Sequence, residues 1–298
     1  MIDRRSFLAA SAAALAAGCT QSASRPTRPE PARIVLPDRF EAIRASLGEG
    51  ARIGVAAVDT GDGRQLVHDP LGRYAMASTF KLPLAAAVLG AAEEGRLRLS
   101  EEIEFAPGAP LDHSPVVTAN LERGRLPVLT LAAASVEVSD NSAANLLLRR
   151  IGGPEALTRF IRAQGDPVTR LDRYEMELNA NLPGDPRDTT SPAAMAGLVR
   201  KLVLGDGLGG GAQDRLRRWM RDSVPGADRL RAGLPADWRF GHKTGTGANG
   251  AVNDVGIAWP PGRAPIVIAS YQDGGTAEMP ARAAAHAAVA TLVVETFA

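Results

Sequence analysis

"RIGVAAVDTGDGRQLVHDP", residues 52–70, is the stretch that decides the fold. Its first half, from Ile53 to Val58, is apolar and rich in β-branched and small residues, which reads as a strand. Gly61-Asp62-Gly63 reads as a hairpin turn and "RQLVHDP" as the returning strand. The next strand-like runs lie at the far end of the chain: "WRFGHKTGT" (238–246), "VNDVGIAW" (252–259) and "APIVIASYQ" (264–272). Between them, from Ser78 to about Gly226, apolar residues recur at helical spacing, as in "LPLAAAVLGAAEEG" (82–95). A short helix over 38–47, with an Asp at its start, precedes the first strand, and an apolar, alanine-rich helix over 280–295 closes the chain. Strands from both ends bracketing a helical middle predict an α+β fold. The expectation is an antiparallel five-stranded sheet from both chain ends flanked by helices, plus an all-helical lobe. The domain then spans 37–298, with an α/β lobe at 37–75 and 227–298 and a helical lobe at 76–226. A catalytic cleft falls between the lobes.

Composition excludes several function classes. The 298 residues carry 34 basic and 33 acidic side chains, and aromatics make up 4%, so nothing announces a nucleic-acid surface. Cys19 is the sole cysteine, so no intramolecular disulfide forms. His68, His113, His242 and His286 are widely separated and form no HxH or HExxH set, which disfavours a zinc hydrolase. No G-x-S-x-G elbow occurs. "GDGLGGG" (205–211) matches G-x-G-x-x-G but follows a helical pattern, so it reads as a loop between helices.

The first residues read as an address. Arg4 and Arg5 precede a weakly apolar, alanine-rich run ending in small residues, so residues 1–20 read as an export signal of twin-arginine type. "AAGC" (16–19) matches a lipobox except at Ala16, where leucine is usual. Lipidation of Cys19 and ordinary cleavage nearby therefore stand as alternatives. Residues 21–36, rich in Ser, Pro and Arg, read as a flexible tether.

Three short stretches carry chemistry. In "MASTFKLPL" (76–84), Ser78 and Lys81 stand one helical turn apart on one face. A helix start offers unpaired N–H groups to developing negative charge, and a desolvated lysine can act on the serine proton. The alternative is a capped helix with an incidental lysine. In "VSDNSAANLLL" (138–148), Ser139, Asp140 and Asn141 either cap a helix or present a hydroxyl and an amide to a cleft. In "FGHKTGTGANG" (240–250), Lys243, Thr244, Gly245 and Thr246 end a strand. Its small residues let a backbone edge approach a ligand, and Lys243 offers charge to a carboxylate.

Together, S-x-x-K, S-D-N and K-T-G form the signature of penicillin-recognising serine enzymes. The chain resembles a class A β-lactamase from about residue 38 to its C-terminus. "RLDRYEMELNANLPGDPRDTT" (170–190) adds specificity, because it is similar to that family's Ω loop. The resemblance implies Ser78 as the acylated nucleophile, with the N–H groups of Ser78 and Thr246 as the oxyanion hole. It implies that Glu175 and Asn179 hold the water that hydrolyses the acyl-enzyme, and that Lys81 or Glu175 takes the serine proton. Ser139, helped by Lys243, passes a proton to the departing nitrogen, and Asn141 meets the substrate's side-chain amide and positions Lys81. Lys243, Thr244, Gly245 and Thr246 line the substrate carboxylate site, with Arg229 its best-matching arginine and Arg231 a competitor. His113 falls at the cleft entrance, where an aromatic ring is usual, or is an ordinary surface histidine. Arg173 and Asp188 match the pair that ties the loop ends together. A carbapenem-hydrolysing subgroup carries a disulfide at positions occupied here by Ala77 and Gly247, which argues against membership of that subgroup. No metal or cofactor is implied, and the expected partner is a small β-lactam bound by a monomer, with membrane contact only through Cys19. The rivals are a penicillin-binding D,D-peptidase and a non-hydrolysing β-lactam sensor, both disfavoured by Glu175.

Overall fold

A computed structural model describes residues 32–108 and 110–298. The export-signal reading of residues 1–20, the lipidation reading of Cys19 and most of the tether lie outside the described residues. In chain order the first elements are β1 (Arg33–Ile34), α1 (Pro37–Ala45), β2 (Arg52–Asp59), β3 (Gln65–His68) and β4 (Tyr74–Ala75). A 3₁₀ turn, Ala77–Phe80, runs directly into α2 (Lys81–Glu93). Then come β5 (Glu102–Glu104), α3 (Pro115–Ala119), β6 (Arg125–Pro127), α4 (Val128–Glu137), α5 (Asn141–Ile151) and α6 (Pro154–Ala163). After a long loop follow β7 (Thr189–Thr190), α7 (Pro192–Val203), α8 (Gly210–Arg221), β8 (Arg239–Thr246), β9 (Val252–Trp259), β10 (Ile266–Asp273) and α9 (Met279–Phe297).

The main sheet has the order β1-β3-β2-β10-β9-β8. Its last five strands are the antiparallel, both-ends sheet expected from the sequence. The sixth strand is a correction: Arg33–Ile34, placed in the tether by composition, pairs parallel with β3 at the sheet edge. Two residues carry no periodicity, so nothing in the sequence marks them as a strand. The helical lobe is corrected as well. It holds the β5–β6 pair, and β4 and β7 join residues 74–75 to residues 189–190. The helix over 38–47 begins at Pro37, not at an Asp cap, and Asp38 sits in its first turn near the positive dipole end.

Period-2 alternation gives the sheet two buried faces. Ile53, Val55, Ala57, Ile266 and Ile268 pack with Phe40 of α1 and Val289, Val293 and Phe297 of α9. Val255, Ile257, Val267, Ala269 and Tyr271 point the other way, into a core shared with Leu84, Val88, Leu131, Leu147 and Leu198. α2 is buried from Lys81 to Ala91, and its apolar residues surround it on all sides. A helix apolar all round belongs at the centre of a fold. It thereby delivers its N-terminal end, with Ser78 and Lys81, to the junction of sheet and helices.

Candidate active site

The 3₁₀ turn sharpens the Ser78–Lys81 pairing. With three residues per turn, positions i and i+3 eclipse, and Lys81 Nζ donates to Ser78 Oγ at 3.0 Å. Ser78 is half-buried and Lys81 fully buried. Ala77, just before the nucleophile candidate, has φ 43°. Asn253 of β9 fixes this turn from below, its Nδ2 donating to the carbonyls of Ala75 and Met76 at 2.9 and 3.0 Å.

The S-D-N stretch divides its labour. Asp140 is the helix cap, accepting from Ala143 N at 2.8 Å. Its second oxygen accepts from the N–H groups of Val116 and Val117 at 2.9 and 3.0 Å, so one buried carboxylate caps α5 and α3 together. This frees its neighbours for the cleft. Ser139, at φ 60°, turns its hydroxyl between two ammonium groups: Lys243 Nζ at 3.0 Å and Lys81 Nζ at 3.3 Å. Its carbonyl accepts from Lys81 at 2.8 Å. Asn141 accepts from Lys81 through Oδ1, while its Nδ2 donates to the Asp112 carbonyl at 2.8 Å.

Glu175 completes the group. Its Oε1 lies 3.0 Å from Lys81 Nζ, with both side chains buried, and its Oε2 accepts from Asn179 Nδ2 at 2.6 Å. Asn179 Oδ1 is buried without a protein donor. The Glu175–Met176 peptide is cis. Asn145 pins the Glu175 backbone from both sides, donating to its carbonyl at 2.9 Å and accepting from its N–H at 3.0 Å. Asn145 was not singled out from the sequence, although it lies at i+4 from Asn141 on the same face of α5, a readable signal. At the loop ends, Asp188 accepts from Arg173 Nε at 2.5 Å and from the N–H groups of Asp172 and Arg173 at 2.7 and 2.9 Å.

On β8, alternation sends Lys243 toward the helical side, where it meets Ser139. Gly245 backs directly onto the nucleophile turn: a Cβ there would stand 2.7 Å from Met76 O and 3.2 Å from Ser78 N. Of the two candidate arginines, Arg229 is the one beside the β8 residues. It donates to the Gly245 and Asn253 carbonyls at 3.0 and 2.8 Å and to Thr246 Oγ1 at 2.9 Å, whereas Arg231 turns to the Trp238 carbonyl. Asp254 supports this segment, accepting from Leu230 N and from the His242 ring. Thr244 is buried and Thr246 exposed. His113 is exposed, at φ 54°; its Nε2 lies 2.9 Å from the Val138 carbonyl and its own carbonyl accepts from Asn141 N.

Burial and charge set the protonation balance. Burial pushes Lys243 well below the usual lysine range, and the positive charges of Lys81 and Arg229 push it further. Burial also lowers Lys81, with the Glu175 carboxylate opposing. The arrangement therefore places a hydroxyl, two proton-handling lysines and a carboxylate around one point, with an arginine behind. It can activate an alcohol, relay a proton and attract an anion.

Residues 38–297 match the model of the Beta-lactamase enzyme family. Beta-lactamase AST-1 of Nocardia asteroides is 44% identical over 90% of this chain and 87% of its own length. Carbapenem-hydrolyzing beta-lactamase KPC of Klebsiella oxytoca is 42% identical over 83% of this chain and 84% of its own. The solved structure of the ancestral (GNCA) class A beta-lactamase is 47% identical and superposes with a TM-score of 0.85, covering 87% of this chain and 99% of that one. With serine, lysine and loop carboxylate gathered on this fold, the chain belongs to the class A β-lactamase family.

Proposed function

We propose that the chain hydrolyses the β-lactam amide bond through a covalent acyl-enzyme on Ser78, and so confers β-lactam resistance. The observation that carries this reading is the convergence on Lys81 Nζ of Ser78 Oγ, Ser139 Oγ and Glu175 Oε1, all within 3.3 Å. The substrate carboxylate docks among Lys243, Thr244, Thr246 and Arg229. An anion there relieves the crowding of positive charge that Lys243 experiences. Ser78 Oγ attacks the lactam carbonyl, its proton passing to Lys81 Nζ, 3.0 Å away. The oxyanion is received by the N–H groups of Ser78 and Thr246, which the close approach of Gly245 brings together. As the C–N bond breaks, the nitrogen takes a proton from Ser139 Oγ, which Lys81 and Lys243 resupply. Glu175 and Asn179 then direct water onto the ester. The donor-free Asn179 Oδ1 supports this, because a buried acceptor of that kind is where water binds. His113 and Asn141 line the entrance wall.

The Glu175–Asn179 pair also decides against a slowly deacylating D,D-peptidase or sensor, neither of which needs a positioned water. Intact-mass analysis with a penicillin tests the roles. Ser78→Ala forms no adduct; Glu175→Gln accumulates one and loses turnover. Similar mild effects from both would sink the assignment. The N-terminal pattern of Arg4, Arg5 and the apolar run supports an exported, envelope-located protein. Among the described residues, no helix is long and apolar enough to cross a membrane.

A further inference from the structure

The loop that carries Glu175 and Asn179 is closed at its ends by Arg173 and Asp188. Its distal part, residues 181–186, is differently supported. It roofs a cavity of about 440 Å³ whose other walls include Arg52, Arg73 and Asp273. Core packing therefore does not fix this segment from beneath. What does touch it is the turn between β8 and β9. Asn181 Nδ2 donates to the carbonyls of Ala248 and Asn249 at 3.1 and 3.2 Å. Asn249 Nδ2 returns the contact to the carbonyls of Ala180 and Asn181 at 3.2 and 2.9 Å. Both asparagines are left-handed, at φ 42° and 51°, a conformation asparagine tolerates better than most side chains. The Ala248 N–H adds a bond to the Asn179 carbonyl at 2.9 Å.

The turn itself is anchored to the sheet. Gly274 N donates to the Asn249 carbonyl at 2.8 Å, and the buried Arg282 guanidinium donates to the carbonyls of Gly250 and Gly274 at 3.0 and 2.8 Å. The asparagine clasp thus refers the loop to the sheet frame two residues from Asn179, whose amide holds Glu175. We propose that Asn181 and Asn249 are positioning residues for deacylation: their reciprocal clasp holds Asn179, and through it Glu175, where hydrolysis of the acyl ester requires them. This rests on the reading that Glu175 and Asn179 direct the hydrolytic water. Lys81 keeps its contacts with Ser78, Ser139 and Asn141 independently of the clasp, so acylation is spared.

The test uses the full chain with benzylpenicillin, measuring acylation and deacylation separately by rapid quench and intact mass. Glycine keeps the left-handed backbone and removes the amide, so the variants are Asn181→Gly, Asn249→Gly and the double. The double variant should deacylate about tenfold more slowly, with kcat and KM falling together and kcat/KM within about twofold of the parent. Each single variant, keeping half of the clasp, should fall between. Mere loss of structure would lower the melting temperature without raising the acyl-enzyme fraction. Should the glycine double variant not fold, Asn249→Asp removes the two bonds that Asn249 donates with no added backbone freedom and should slow deacylation to between parent and double, with kcat/KM again unchanged. Parental deacylation in a folded double variant, or in Asn249→Asp, overturns the proposal. Glu175→Gln run alongside separates the two claims: if it fails to accumulate adduct, the mechanistic reading is wrong, whereas accumulation there with parental deacylation in the clasp variants condemns the clasp alone.

Discussion

Gly245→Ala tests whether the strand that bears Thr246 must touch the nucleophile turn. The added methyl would stand 2.7 Å from the Met76 carbonyl oxygen and 3.2 Å from both Ser78 N and Thr79 Cγ2. The closest of these neighbours is backbone, and Asn253 fixes that same carbonyl from the other side at 3.0 Å. Relief to 3.0–3.4 Å therefore requires β8 and the turn to part by roughly 0.3–0.7 Å. The separation falls directly between the two N–H groups assigned to the oxyanion. Losing one such donor costs about 10²–10³ in rate, so partial misplacement should lower acylation by about 10²-fold. Overpacking adds about 1–3 kcal/mol of destabilisation. Gly247→Ala is the internal control. Its methyl meets nothing closer than the Asn179 carbonyl at 3.1 Å, so its acylation should stay near the parent's. The assay is the second-order acylation constant by stopped flow, with thermal melting alongside. If Gly245→Ala acylates within about threefold of the parent and melts at the same temperature, the close approach is not what builds the oxyanion site.

The remaining expectations concern covalent and pH behaviour. A Cβ built at Gly247 lies 3.6 Å from Ala77 Cβ, within the range that disulfides span, so Ala77→Cys/Gly247→Cys should oxidise to one bridge. Thiol titration of the unfolded protein, expressed without residues 1–20 and so without Cys19, should then find no free thiol, and two free thiols after air oxidation would contradict it. His286 is fully buried, its Nδ1 taking the Ser270 hydroxyl at 2.9 Å and its Nε2 lying 3.1 Å from the Val252 carbonyl, so it is held neutral with its pKa lowered to about 4 by burial. Because the folded value lies below the unfolded one, its contribution is present above about pH 6.5 and lost as pH falls through about 4, on the order of 3 kcal/mol. Urea unfolding at pH 7.5 and 4.5 should show a smaller difference for His286→Gln than for the parent, and equal differences would refute this.

The sheet was legible because hairpin glycines, β-branched runs and strand alternation all agree in residues 52–68 and 239–273. β1 was not, because a two-residue strand is created by its neighbour β3 and not by its own composition. In the site, Ser78, Lys81, Ser139, Asn141, Glu175 and Lys243, each named by motif, form one bonded group, although only Ser78 and Lys81 owe their contact to a short spacing. Asn145, Asn253 and Asp254 were less visible for a common reason. Each acts on backbone groups of a segment remote in sequence: Asn145 on Glu175, Asn253 on residues 75–76, Asp254 on Leu230. Periodicity reports an element's own face, not the loop folded onto it.

Hydrogen-bond counting at Lys81 bears on which group receives the serine proton. An ammonium has three N–H groups, and three of its neighbours accept only: the Ser139 carbonyl, Asn141 Oδ1 and the Glu175 carboxylate. With Ser78 Oγ and Ser139 Oγ also in reach, acceptors outnumber the N–H groups, and an ammonium has no lone pair to take the serine proton. On the proposed mechanism the neutral amine keeps two N–H donors, and its lone pair takes the proton of Ser78 Oγ, 3.0 Å away. Burial favours that neutral amine, lowering Lys81 against the opposing Glu175 carboxylate. A carboxylate arriving beside Lys243 acts in the opposite sense on that lysine, stabilising its ammonium. On the proposed mechanism the charged Lys243 keeps a donor on Ser139 Oγ, so Ser139 gives its proton to the leaving nitrogen and is resupplied from the two lysines beside it.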